Sequence, residues 1–220
     1  MPIIKDYLAA ALLYNLQILP DALIMGTVVL AILLTNPTVV ALAAGALGTQ
    51  ALAHAVGSIV MAYQPNAAAP RSSLDVCTGG YVGQSWARLF RPGTAHLWHP
   101  LAPSVYMATL GYFTAAGASM SQIYKDEIDA GVWPRHTLIA CGVVSAILLV
   151  LALTFRYASG CESLFGAVVG LLFGAAAGYF GAVILAAATG RRGTNLWGIP
   201  LLRDRINNGS AVYICPGRTT

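Results

Sequence analysis

Few residues in this chain can do chemistry, and most of them stand alone in apolar surroundings. Asp21 follows Pro20 inside a long apolar run. Proline removes a helix donor and aspartate caps a following helix, so the pair reads as an interruption. A carboxylate within a membrane is costly and often functional. For Asp21 the preferred reading is a helix cap or a protein-facing, hydrogen-bonded carboxyl. Gln50 and His54 are four apart and share one helical face. Proton transfer or metal binding would use such a pair; a hydrogen bond to a neighbouring helix is preferred. His96 and His99 would suit a metal, but no third ligand has a suitable spacing. The four cysteines, Cys77, Cys141, Cys161 and Cys215, contain no close CxxC pair. Cys141 lies in an apolar run and reads as a packing residue. Cys77 and Cys161 could join in a disulfide if both loops face an oxidising side. Neither a metal nor a cofactor is expected.

The elements that carry these residues are membrane helices. The chain of 220 residues is 57% hydrophobic and only 9% charged, with a mean hydropathy of +0.70. Soluble domains carry about 25% charge. The expected fold class is therefore all-α: a polytopic transmembrane helical bundle of about five spans, residues 1–190, and a non-helical basic tail, 191–220. The spans fall at about 5–35, 38–63, 102–120, 136–155 and 162–188, the first kinked at Pro20. The start of the chain does not read as a cleavable signal peptide. Residues 64–101 form a long polar connection with Trp86 and Trp98, residues that anchor membrane interfaces. Within the last span Gly166, Gly170, Gly174 and Gly178 recur every fourth residue. On a helix they form one nearly straight groove into which another helix backbone packs closely.

Three stretches in the middle of the chain follow a pattern. QSWARLFRP places Gln84 before Arg91-Pro92 with six residues between. APSVYMATLGYFTAA carries Pro103-Ser104, then Val105 and Tyr106. TFRYASGCESLFGAVVG carries Arg156, Glu162 and the first glycines of the groove. In order and spacing, over residues 84–182, these resemble the three signatures of the phosphatidic acid phosphatase type 2 superfamily. The resemblance is degenerate. Gln84 stands where the family has lysine, and Tyr106 where it has the histidine acid. Glu162 stands in place of the histidine nucleophile, and Gly166 in place of its orienting aspartate. The family's implied chemistry is attack of histidine on a phosphate monoester, and a nucleophile of that kind needs an activating partner. Of the implied anion clamp only Arg91 and Arg156 remain, with Ser104 as a hydroxyl donor, and Glu162 would repel phosphate. The resemblance therefore implies a phosphatase-like bundle that is not an enzyme. An Arg156–Glu162 pair would instead lock the turn, which has to bend because the two are six apart. Alternating spans place the 64–101 connection and the 156–161 turn on one side.

The tail holds five of the twelve basic residues, among them Arg191, Arg192, Arg203 and Arg205. Its apolar run from Trp197 would lie on the membrane or dock on a partner. Asn207-Asn208-Gly209 is a turn signal with a weak hairpin pattern around it. No motif points to a specific nucleic acid. The tail, following such a bundle, is similar to those of membrane proteins in large nucleocytoplasmic DNA viruses. That implies a structural protein of a virion internal membrane, with lipid and capsid proteins as partners. Two other functions stay open: an accessory subunit of a membrane energy-converting complex, and a lipid-phosphate phosphatase with an altered site. An organellar or cellular membrane is the alternative location. Counting basic residues, five on the side of the long connection against seven on the other, leans the tail toward the cytoplasm.

Overall fold

A computed structural model describes residues 2–34, 37–70, 77, 81–90, 97–125 and 135–193. Six helices carry the fold: α1 Pro2–Leu34, α2 Pro37–Tyr63, α3 Tyr81–Phe90, α4 Val105–Ile123, α5 Arg135–Ala158 and α6 Leu164–Gly193. A 3-10 turn, Pro65–Ala67, and a two-residue antiparallel pairing of Ala69–Pro70 with Leu97–Trp98 complete the described elements. Four stretches are long and apolar enough to cross a membrane: Ala10–Leu33, Pro37–Tyr63, His136–Ala158 and Leu164–Gly190. The chain is thus an all-helical integral membrane protein.

Two elements differ from the simple apolar pattern. The expected third span, 102–120, is not among those four. Its helix, α4, carries Thr109, Thr114, Ser119, Ser121 and Gln122, which lower its hydropathy. The reason is position: Tyr106 to Tyr112, Ala116, Ser119 and Met120 are all buried, so α4 is the axis about which the others gather. The 64–101 connection, read as one polar loop, contains the amphipathic helix α3. Asp21 Oδ2 accepts the Val82 backbone N–H at 2.7 Å, and Ser58 Oγ donates to the Phe90 carbonyl at 3.3 Å. α3 therefore starts level with the middle of α1 and climbs toward the end of α2. Trp86 and Phe90 pack ring to ring on it, 5.9 Å apart.

α4 and α6 lie backbone to backbone. A Cβ placed on Gly166 would sit 2.7 Å from the Ala102 carbonyl oxygen. Added to Gly170, Gly174 or Gly178, it would fall deep inside the van der Waals envelopes of the Ser104, Ala108 and Tyr112 carbonyls. Gly111 returns the contact from α4, against the backbone of Leu171 and Ala175. On the other side of α4, the Tyr112 ring reaches Gly45 of α2. One core cluster joins Ile24, Leu42, Ala46, Tyr112, Ala116, Met120 and Ala182; a second joins Tyr106, Met107, Leu110, Ala152 and Ala167.

α5 is the least embedded of the four apolar spans, with 11% of its apolar stretch buried against 44% for α2. It attaches near its C-terminal end, through Ala152, Phe155 and Arg156. The regular helix of α6 breaks at Gly190 (φ +67°, ψ −170°), two residues past the expected end at 188, and Arg191 and Arg192 follow that kink. Trp197, Arg203, Arg205 and the expected hairpin lie outside the described residues.

Candidate functional site

The site begins with a turn. At the end of α5, Gly160 has φ +65°, a left-handed conformation that glycine adopts without strain. The Gly160 N–H donates to Tyr157 O and the Cys161 N–H to Arg156 O, each at 3.0 Å. This is the double-bonded helix stop that glycine favours. It folds the chain back so that Glu162 meets Arg156 although the two are six apart.

Arg156 is buried, and each of its three guanidinium nitrogens is engaged. Its Nε donates to Glu162 Oε1 at 3.1 Å and its Nη2 to the same oxygen at 2.5 Å. Nη1 and Nη2 each donate to the Cys77 carbonyl at 3.4 Å. The guanidinium carbon lies 4.8 Å over the Tyr106 ring, a cation–π contact. Every guanidinium nitrogen thus has an acceptor within the chain, and one face is covered by an aromatic ring.

Tyr106 also completes a distant helix. Proline has no N–H, so Pro20 leaves the carbonyl four residues earlier without its helical partner. That carbonyl is Leu16 O, and the buried Tyr106 hydroxyl donates to it. In lipid such a freed carbonyl requires a partner from elsewhere in the protein. The Pro20-Asp21 step is thus used twice: proline opens a carbonyl for α4, and aspartate caps α3.

Ser104 is taken as well. Its Oγ accepts the Met107 N–H at 3.0 Å and caps α4, while its own N–H donates to Gly166 O at 2.9 Å. Pro103 is buried just before it. Ser163 does the same for α6, accepting the Gly166 N–H at 2.9 Å and donating to Pro100 O. His99, beside Pro100, is buried, and its Nδ1 accepts the Leu101 N–H at 3.2 Å. His99 Nε2 and Glu162 Oε2 are buried without a hydrogen-bond partner among the described residues. Ser104, Tyr106, Arg156 and Glu162 therefore meet at one end of the bundle. Gln84 is half-buried on α3, while Arg91, Pro92 and His96 lie outside the described residues.

A disulfide joins Cys77 to Cys161 at this same end, with Cα atoms 5.0 Å apart. Both cysteines are fully buried. The bridge closes a loop of 84 residues, and the chain entropy it removes from the unfolded state stabilises the fold by up to about 4.5 kcal/mol. The Cys77→Ser, Cys161→Ser variant is expected to melt well below the parent in the same detergent. In the folded parent neither cysteine is expected to react with a maleimide after brief exposure to reductant; labelling that matches the unfolded protein would contradict the burial. The free Cys141 is exposed on α5, not packed in the interior as expected from its apolar run, and its neighbours from 139 to 144 are exposed with it.

Polar side chains elsewhere pair across helices. Gln50 Nε2 donates to Thr109 Oγ1 at 3.0 Å, joining α2 to α4. His54, one turn on, is buried. Among the described residues no three metal-ligating side chains gather. Tyr106 as a partner for Leu16 and the Cys77 carbonyl as an acceptor for Arg156 are invisible in sequence. Only the proline inside an apolar run hints at the first. No protein-family model matches the chain, and neither a curated protein nor a solved structure is similar to it.

Proposed function

We propose that this chain is a non-catalytic integral membrane protein with a structural role in a large assembly. On this reading α4 crosses the bilayer with the four apolar helices, and α3 is a re-entrant helix supported from inside. The observation that carries the proposal is the occupation of Arg156. In the phosphatase-like reading this residue would hold phosphate oxygens; here Glu162, the Cys77 carbonyl and the Tyr106 ring take its place. A phosphate would have to displace a buried carboxylate, and separating a buried pair costs about 3–5 kcal/mol. The Ser104 hydroxyl is equally committed as a helix cap. The former catalytic corner is then a clasp that ties α5, α6 and the long connection together. An internal viral membrane beneath a capsid is the setting that the basic tail favours, with Arg191, Arg192, Trp197, Arg203 and Arg205 as contacts.

Two measurements test this. Purified protein in mixed micelles with phosphatidic acid is expected to release no inorganic phosphate; release that disappears in Glu162→Gln would overturn the reading. A photo-crosslinker replacing Trp197, activated in native membranes, is expected to join the tail to one or a few abundant proteins. Crosslinks to lipid alone would remove the scaffold role.

A further inference from the structure

The clasp leaves one oxygen over. Both bonds that Arg156 gives to Glu162 end on Oε1, from Nε at 3.1 Å and from Nη2 at 2.5 Å. A guanidinium fork facing a carboxylate commonly uses both oxygens. Glu162 Oε2 is buried and accepts nothing among the described residues. A buried carboxylate oxygen requires a donor. Two nearby hydroxyls are already spent, Ser163 on Pro100 O and Tyr106 on Leu16 O.

His99 has the opposite need. It is 3% exposed, and its Nδ1 accepts the Leu101 N–H at 3.2 Å. A ring nitrogen that accepts carries no proton, so the imidazole is the neutral tautomer with its hydrogen on Nε2. Nε2 is buried and donates to nothing among the described residues. The fold brings the two residues together. His99 O accepts the Ala102 N–H at 3.1 Å and closes a tight turn. That turn lies along the start of α6: Pro100 O accepts from Ser163, and Ala102 O lies 2.7 Å from a Cβ placed on Gly166. His99 and Glu162 therefore adjoin the two ends of the Pro100–Ser163 hydrogen bond.

We propose that a single buried water bridges His99 and Glu162, accepting the Nε2 hydrogen and donating to Oε2. The chemistry of the pair selects this ligand. The N–H repels a cation and the carboxylate repels an anion, so the occupant is neutral and carries both a donor and an acceptor. Both atoms are closed to solvent, which suits one water over a larger alcohol. His99 is thereby a positioning residue for Glu162, and it ties the turn before α4 to the clasp at the end of α5. The site depends on the geometry of the clasp and not on the scaffold role.

A crystal structure of the full chain that resolves ordered water tests the site. One peak within hydrogen-bond reach of both Nε2 and Oε2 is expected. A direct Nε2–Oε2 bond, separate partners for the two atoms, or density for a larger molecule overturns the proposal. NMR of the protein in micelles, labelled with 15N-histidine and 13C-glutamate, gives a second reading. The His99 signal is expected to report a neutral ring with its hydrogen on Nε2; a hydrogen on Nδ1 overturns the proposal. His99→Phe is expected to shift the Glu162 carboxylate resonance, and His99→Gln, whose amide can donate in place of Nε2, to bring it back. A resonance that His99→Phe leaves unmoved overturns the positioning role.

Discussion

Gly174→Ala is expected to destabilise this protein more than any other single added methyl. The new Cβ would enter the space of the Ala108 carbonyl, and neither atom can yield without moving a helix. Overpacking a tight core costs about 1–3 kcal/mol, and here the obstacle is backbone, not a flexible side chain. The expected loss lies at the upper end of that range, with Gly170→Ala and Gly178→Ala close behind. Gly181, one turn further along α6, has nothing within 4 Å of its would-be Cβ. Gly181→Ala is therefore expected to change stability by less than about 0.5 kcal/mol. Thermal melts of the four variants in one detergent would decide it. Equal losses at Gly174 and Gly181 would mean that α4 and α6 do not meet along this face.

The second large effect concerns Arg156. Glu162→Gln preserves shape but leaves a buried guanidinium without its counter-charge, at a cost of about 3–5 kcal/mol. Arg156→Met is expected to cost a similar amount, because it strands Glu162, whose side chain is only 12% exposed. The double variant Arg156→Met, Glu162→Met is expected to recover much of the loss, since apolar replacement of a buried pair is often close to neutral. The clasp is shielded from solvent, so raising ionic strength is expected to leave these differences unchanged. Strictly additive losses in the double variant would show that the two side chains do not act as a pair.

How much of this is legible in the sequence depends on which atoms carry the information. Apolar length marks α1, α2, α5 and α6 within a few residues, because lipid-facing helices must be apolar all round. α4 is harder to recognise: a helix enclosed by others can keep Thr109 and Ser119, so its hydropathy falls just where its burial rises. α3 is hidden in a polar connection because ten residues are too few for a hydropathy signal. The glycine period marks one face of α6 but not the backbone that lies on it. The meeting of Arg156 and Glu162 depends on a positive φ at Gly160, which SGC in sequence permits and does not require. The carbonyls of Leu16 and Cys77 are main-chain groups, and no residue type announces them.

The double use of Pro20 and Asp21 bears on how the protein is made. On the ribosome α1 emerges before α3 and α4, with an open carbonyl at Leu16 and a carboxylate at Asp21 that has yet to meet Val82. A carboxylate at mid-bilayer disfavours insertion by about 2.5–3.5 kcal/mol. Its partner Val82 follows 61 residues later, and Tyr106, the partner of Leu16, 90 residues later. At about 5–20 residues per second, the wait for Tyr106 is roughly 5–18 s. α3 is about 15 Å long, half the hydrocarbon thickness, and cannot insert as a span of its own. α1 is thus a poor membrane anchor until α4 has been synthesised, and the translocon or an insertase must shelter it until then.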